Sequence, residues 1–178
     1  NVELIAAEIA VQLRAFEDAF GGMPDFVDGH QHVQLFPQVR DAFVKVVAEL
    51  APNAWVRQCG RATSLRRLHD RKALVLDILS MAFRRRAERQ GLSFNPAFAG
   101  SYAFTPNANF AKIFPRFLTG LPDGGLVMCH PGLVDEALKG LDSLTTLREH
   151  EFAYFNSDAF ADALVKHNVA LAGPGRTP

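Results

Sequence analysis

Residues 25–37 read D-F-V-D-G-H-Q-H-V-Q-L-F-P, and the prediction of both fold and function starts from this segment. A short apolar run, Phe26–Val27, leads into Asp28 and then into two histidines, His30 and His32. Alternate side chains of an extended backbone share a face, so we expect these three polar side chains on one side of a strand end. Imidazole is a common ligand of divalent metals, and a nearby carboxylate can be a third ligand or orient a ring nitrogen. The alternative is an ordinary pair of hydrogen-bonded loop histidines, because a pair of this kind is a weak motif.

Length, charge and cysteine content restrict the class of protein. The 178 residues suit one domain, so we predict a single domain over residues 1–178. Lys plus Arg and Asp plus Glu both number 19, which argues against nucleic-acid and anionic-membrane partners. Every apolar run is too short for a transmembrane helix. Cys59 and Cys129 lie in apolar surroundings, which indicates reduced, buried thiols in a cytoplasmic protein.

The periodicity of apolar residues predicts helices that alternate with short strands. We expect helices over residues 1–20, 37–51, 70–90 (capped by Asp70), 109–121 (bent at Pro115), 148–155 and 158–167 (capped by Ser157). We expect strands over residues 26–29, 54–57, 92–95, 125–129 (a buried strand) and 169–172, with 65–68 undecided and 96–106 a loop. We expect an inward face of Phe43, Val46, Val47 and Leu50 in the second helix. In the third helix we expect Leu74, Ile78, Met81 and Ala82 to face inward. This order predicts an α/β fold, with parallel strands covered by helices.

Polar residues follow the predicted strands at their carboxyl ends: His30, Arg57, Asn95 and His130. In parallel α/β folds, and in barrels above all, this edge carries the chemistry. About five strands are predicted, whereas a closed barrel has eight and about 250 residues. The chain also opens at Asn1 inside an apparent helix. We therefore expect most of a barrel, with its first strands preceding Asn1.

Two motifs together resemble those of a known family. D-G-H-Q-H-V-Q-L-F-P at 28–37 and V-M-C-H-P-G at 127–132 are similar to the YdjC-like family of carbohydrate deacetylases, which includes chitooligosaccharide deacetylases. The resemblance extends over nearly the whole chain. It implies a (β/α) barrel-like fold, a TIM-barrel variant related to polysaccharide deacetylases, with parallel strands and outer helices. It also implies a hydrolase that removes acetyl groups from N-acetylated sugars or oligosaccharides with a divalent metal, Mg or Zn.

The resemblance further implies roles for single residues. His30 would be a metal ligand, Asp28 would support a neighbouring imidazole, and His130 would protonate the departing amine. The family's other ligands, an Asp of a paired Asp-Asp motif and a following His, have no counterpart after Asn1 and are expected upstream. Arg57 would pair with a catalytic carboxylate, and a surface arginine is the alternative.

Several further residues have two interpretations. His32 either faces the substrate or packs on its loop. Tyr102 lies with other aromatics in a loop where a sugar ring could stack, but such aromatics also form small cores. The group Arg84–Arg86 with Arg89 invites a nucleic-acid hypothesis, and we favour a solvated helix end, where the helix dipole favours cations.

The predicted function is a cytoplasmic enzyme acting on a linear amide of a small acetylated sugar. The alternatives are a non-catalytic sugar-binding barrel with an incomplete metal site and a metal hydrolase of another amide or ester. A homodimer is also expected, because the 15 phenylalanines could cover an interface as well as a core. The sequence leaves open which sugar and which metal are used.

Overall fold

The structure, a computed structural model, describes residues 1–62, 71–105, 107–142 and 144–173. The chain divides into two compact units. The first comprises Asn1–Phe98, Pro122–Leu126 and the chain from Ala172, and the second comprises Ala99–Leu121 and Val127–Leu171. Each unit is described separately below, and the single domain stays a prediction.

Short strands and longer helices alternate along the chain, in an α/β arrangement rich in helix. The elements are α1 (Val2–Phe20), β1 (Phe26–Val27), a 3₁₀ turn (His30–Leu35), α2 (Pro37–Leu50), β2 (Trp55–Val56), α3 (Arg71–Arg89), β3 (Phe98–Ala99), α4 (Phe110–Leu118), β4 (Leu126–Val127), α5 (Glu136–Leu141), α6 (Thr146–Phe155) and α7 (Asp158–His167). The α/β class is therefore confirmed.

The strands pair in parallel. β1 runs beside β2, with Phe26 opposite Trp55, and Val56 forms one further parallel bridge with Phe94. β3 pairs with β4, where the Leu126 N–H donates to Ala97 and the Met128 N–H donates to Ala99. Each named strand holds only two residues. The described residues therefore form two short, two-stranded sheets.

α1 and α2 are neighbouring helices of the first unit, and α2 supplies much more of its core than α1, which buries Leu13. α1 is capped by Asn1, whose side chain accepts from the Glu3 N–H at 2.9 Å, and it ends at Gly21 in a left-handed conformation (φ 77°). α2 begins at Pro37 as predicted, since proline suits the first helical position. Its inner face is buried and consists of Ala42, Phe43, Val44, Val46 and Val47. These apolar positions confirm the helix periodicity read from the sequence.

The predicted inner face of α3 is only partly confirmed, because Leu74, Met81 and Ala82 are half-buried. Ile78 is 60% exposed, whereas Asp77, Ser80 and Phe83 are buried. Asp77 accepts from the backbone and the guanidinium of Arg61, at 2.8 Å each. The buried face of α3 thus includes polar residues with specific partners, which a pattern of apolar residues cannot reveal. Asp70 and residues 65–68 lie outside the described residues.

Aromatic residues form the core of the second unit. Phe110, Phe114, Leu118 and Tyr154 are buried together, and Phe160 packs against them. α4 begins after Asn109, whose side chain accepts from the Lys112 N–H at 3.2 Å, and it contains Pro115. The rings of Phe114 and Tyr154 lie 5.4 Å apart, within the range of favourable aromatic pairs. At least part of the phenylalanine content therefore serves a core.

Several strand predictions were wrong in position. β3 lies inside the predicted loop 96–106, residues 169–172 form no strand, and β4 is half-buried and not fully buried. The predicted strand 92–95 is reduced to one parallel bridge at Phe94. Asn95 instead bonds to backbone groups through its side chain: its oxygen accepts from the Gln58 N–H at 2.9 Å, and its amide donates to the carbonyls of Gln58 and Ala97. Side chain to backbone bonds of this kind compete with strand pairing.

The helix α5 was not predicted from the sequence, and Asp135 caps it. Among the described helices, none is long and apolar enough to cross a membrane.

Candidate functional site

The segment after β1 does not continue as an extended strand. His30–Leu35 forms a 3₁₀ turn, in which Gln31 (φ 51°) and His32 (φ 65°) are left-handed. The alternation rule, which placed Asp28, His30 and His32 on one face, therefore does not apply here. Gly29 is buried, and a Cβ at that position would overlap the Gln34 side chain, so the tight turn requires glycine.

Arg57 is the centre of a buried polar cluster. It follows β2 and is 6% exposed. Nη2 lies 2.6 Å from an Asp28 carboxylate oxygen and donates to the Gly29 carbonyl at 3.0 Å. Nη1 lies 2.8 Å from Nδ1 of His32 and 2.9 Å from Sγ of Cys59. Arg57 is thus not a surface arginine, and it fixes the loop that contains both histidines.

The contact with Arg57 determines the protonation pattern of the His32 ring. A guanidinium only donates, so Nδ1 of His32 must accept, and the proton of the neutral ring lies on Nε2. The ring also meets Phe98 edge to face at 5.7 Å, and Phe98 lies under Arg57 at 5.2 Å. In the structure the His32 ring packs against Arg57 and Phe98. Its role toward a substrate stays a prediction, and Nδ1 is not available to a metal.

Gln34 and Cys59 belong to the same cluster and were not among the predicted site residues. Gln34 is fully buried, and its amide donates to the Arg57 carbonyl at 3.1 Å and lies 3.3 Å from Asp28. Gln34 is part of the quoted motif, so its position there could have identified it. Cys59 has no such motif; its position two residues after Arg57 is the only indication in the sequence.

Both cysteines are free thiols with raised pKa values. Burial raises the pKa of Cys59 to about 12; Arg57 opposes this shift and Asp28 adds to it. Burial, with a contribution from Glu151, raises the pKa of Cys129 to about 11. Both side chains are therefore neutral near pH 7, and neither is an activated nucleophile.

We expect the two thiols of the native protein to react slowly with iodoacetamide at pH 8. From the pKa values of about 12 and 11, only about 10⁻⁴ and 10⁻³ of each thiol is ionised at that pH, and the thiolate is the reactive species. Native alkylation should be about 10²- to 10³-fold slower than alkylation in urea, where the thiol pKa is ordinary. Raising the pH should accelerate the native reaction. Mass spectrometry of quenched samples measures both rates, and equal rates in both conditions would contradict the assigned pKa values.

His30 begins the 3₁₀ turn and has an exposed side chain. A catalytic metal usually needs about three protein ligands. The described residues contain no group of three His, Cys, Asp or Glu side chains that could hold a metal ion. They therefore do not by themselves fit the divalent metal that the motif implies, and the ligand role of His30 stays a prediction.

His130 lies in the second unit, where it follows β4. Its backbone N–H donates to the Glu151 carboxylate, and its ring meets Phe104 edge to face at 5.4 Å. The pKa of Asp142 is lowered, first by the Leu144 N–H, then by Arg148, with a smaller contribution from His130. His130 is thus half-buried and held by its backbone, in a neighbourhood that contains carboxylates.

Tyr102 also bonds to Glu151. Its hydroxyl donates to Oε1 at 2.6 Å, and its pKa is raised by burial and by this hydrogen bond. Its ring lies 4.5 Å from Phe104 and 5.8 Å from Phe110, against the aromatic core. This packing matches the small-core alternative, and the sugar-binding role of Tyr102 stays a prediction.

The predicted site residues fall into two groups, one in each unit. Asp28, His30, His32 and Arg57 belong to the first unit, and Tyr102 and His130 belong to the second. The placement of His30 and His130 on a common face stays a prediction.

The arginines of α3 fit the predicted solvated helix end, since Arg85 and Arg89 are exposed.

Short parallel strands that lead into polar residues define this chain as an α/β protein with candidate site residues at strand ends. Residues 1–166 match the family described as YdjC-like protein, and the chain belongs to this family. The family assignment made from the two motifs is thereby confirmed.

Curated relatives have names that specify a reaction. A chitooligosaccharide deacetylase of Citrobacter koseri is 30% identical over 139 residues, which are 76% of this chain and 46% of that protein. A chitooligosaccharide deacetylase of Escherichia fergusonii is 28% identical over 175 residues, which are 97% of this chain and 58% of that protein. The chain spans about half the length of these curated relatives.

A solved structure shares the fold. The crystal structure of a proposed cellobiose-phosphate cleavage protein from Enterococcus faecalis superposes with a TM-score of 0.68 at 15% identity. The match covers 97% of this chain and 60% of that one. At this identity the likeness concerns the fold alone.

Proposed function

We propose that this chain forms part of a metal-dependent carbohydrate deacetylase that removes acetyl groups from N-acetylated sugars or oligosaccharides. The observation that carries the proposal is the family match over residues 1–166, which includes both motifs. The names of the bacterial relatives support the reaction class. The (β/α) barrel belongs to the same proposal; the short parallel strands support it.

In this proposal His130 acts as general acid. Hydrolysis adds the oxygen of a water molecule to the acetyl carbon and breaks the amide C–N bond. The acetyl group then leaves as acetate, and the leaving nitrogen must gain a proton to depart as an amine. The imidazole of His130 follows β4 and would donate that proton, since histidine changes charge near neutral pH. Its backbone hydrogen bond to Glu151 supports a fixed position for the ring.

Arg57 has a positioning role in the proposal. It holds the Asp28 carboxylate and the His32 ring, and therefore the turn on which His30 lies. His30 would be one ligand of a divalent metal, Mg or Zn. His32 and Tyr102 would contact the sugar. These roles rest on motif positions, and no step of the reaction is derived through the metal.

A sugar-binding protein without catalysis is the second candidate. The observation that favours it is that the described residues contain no group of three metal-ligating side chains. Such a protein would still bind an acetylated sugar. It would release neither acetate nor a free amine.

Incubation of the full-length protein with N-acetylated chitooligosaccharides distinguishes the deacetylase from the sugar-binding protein without catalysis. We expect acetate and free amine to form in equal amounts, only when Mg²⁺ or Zn²⁺ is present. Acetate is measured enzymatically and the amine by fluorescamine, with an acetylated ester as comparison substrate. Binding by calorimetry without acetate release would establish the second candidate.

Light scattering of the same sample tests the proposed homodimer, and cell fractionation tests the proposed cytoplasmic location.

A further inference from the structure

A fully buried carboxylate lies on the inner face of α6. Glu151 is 0% exposed, and no Lys or Arg among the described residues forms an ion pair with it. Burial of a carboxylate is unfavourable unless its oxygens receive hydrogen bonds. The partners of Glu151 should therefore explain why a carboxylate is present at this position.

Each oxygen of Glu151 receives one donor from a different segment. Oε1 accepts from the Tyr102 hydroxyl at 2.6 Å, and Oε2 accepts from the His130 backbone N–H. One carboxylate thus connects α6, the loop that contains Tyr102 and the residue that follows β4. All of these residues belong to the second unit.

α6 holds the segment from His130 to Gly132 at both of its ends. The Gly132 N–H donates to the carbonyl of Arg148 at 3.1 Å, one turn of α6 before Glu151. On the other side of His130, the Met128 N–H donates to the Ala99 carbonyl at 2.9 Å. The backbone on either side of the imidazole is therefore fixed, and Glu151 holds His130 itself.

We infer that Glu151 is a positioning residue for His130, which fixes the backbone from which the imidazole projects. The inference rests on the proposed function, in which His130 protonates the leaving amine. A small displacement of a reacting group can cost about 10²-fold in rate. The hydrogen bond that Glu151 accepts from the His130 N–H would thus act on turnover, whereas its bond to Tyr102, a proposed sugar contact, would act on KM.

The difference between Glu151→Ala and Glu151→Gln separates position from charge. Glutamine can still accept the His130 N–H with its oxygen, while its amide donates to the Tyr102 phenol oxygen, which is able to accept. Alanine can do neither. In the full-length protein we expect kcat of Glu151→Ala to fall about 10- to 10²-fold, and Glu151→Gln to keep most of the turnover.

The His130 amide resonance gives a readout that does not depend on activity. An N–H that donates to a carboxylate resonates downfield, and in Glu151→Ala this proton should move upfield. In Glu151→Gln it should stay closer to its original position. Glu149→Ala is the matched control, because Glu149 lies on the same helix with an exposed side chain; it should change neither the resonance nor kcat.

Wild-type kcat in Glu151→Ala would overturn the inference, and so would a Glu151→Gln variant as inactive as alanine. If the wild-type protein releases no acetate, the proposed function fails, whereas the amide shift still establishes or refutes the contact. If Glu151→Ala does not fold, Glu151→Asp is the second variant. Its shorter side chain cannot reach both donors, so we expect kcat and the amide shift to lie between those of wild type and those expected for alanine; wild-type values for both would overturn the inference.

Discussion

His30→Ala in the full-length protein is expected to abolish both bound divalent metal and deacetylation, while the unfolding midpoint of the metal-free protein stays unchanged. Loss of one of about three protein ligands should leave a hydrolase metal site unable to retain its ion. The fold should tolerate the change, because His30 is exposed at the start of the 3₁₀ turn. Metal content by plasma mass spectrometry and acetate release measure the two effects.

His150→Ala is the matched control for this variant, since His150 is an exposed histidine on α6 outside both motifs. It should retain metal and turnover. Normal metal occupancy with normal acetate release in His30→Ala would refute the ligand role. Loss of the fold, seen as a large fall in the unfolding midpoint, would mean that His30 serves the structure of the turn.

The helices could be predicted because their rules are local. α2 begins at Pro37, whose ring suits the first helical position. α7 begins after Ser157 as predicted, but the Ser157 side chain does not cap it, because its hydroxyl donates to the Tyr154 carbonyl. Apolar spacing identified the buried face of α2. It was less accurate for α3, where Ile78 is exposed and where Asp77 and Ser80 are buried through bonds to residues of the preceding loop. Those partners lie at least 16 residues away, outside any helical pattern.

The strands could be predicted only approximately. Each has two residues, and its pairing partner lies far away in sequence, as Phe26 and Trp55 illustrate. In the predicted strand 92–95 only Phe94 pairs, with Val56, and the Asn95 side chain bonds to the backbone of Gln58 in place of a further strand bond. A local pattern does not contain this information.

The candidate site was predicted by residue type but not by geometry. The motif identified Asp28, His30 and His32, yet the left-handed turn removed the shared face that was expected of them. The sequence identified Arg57 at its strand end, but it did not predict that Arg57 is buried. Glu151 was missed, because a buried acid within a helix resembles a solvated one in sequence, and its partners lie 21 and 49 residues away.

The effect of removing the His130 ring can be separated from the effect of disturbing its loop. The hydrogen bond to Glu151 comes from the backbone N–H, so an alanine at this position still makes it. The edge contact with Phe104 is lost. A substitution here therefore removes the imidazole and retains the backbone that holds it.

His130→Ala in the full-length protein should lower turnover by about 10²–10⁴, the usual effect of removing a positioned general acid. Metal content and KM should stay nearly unchanged, because the ring acts only when the C–N bond breaks. The limb of the pH–rate profile that belongs to this acid should also disappear, and His150→Ala should retain it. Rates, metal content and the pH profile measured on both variants distinguish the possibilities. Loss of metal would make His130 a ligand, and wild-type turnover would make it a structural residue; either result would contradict the proton-donor role.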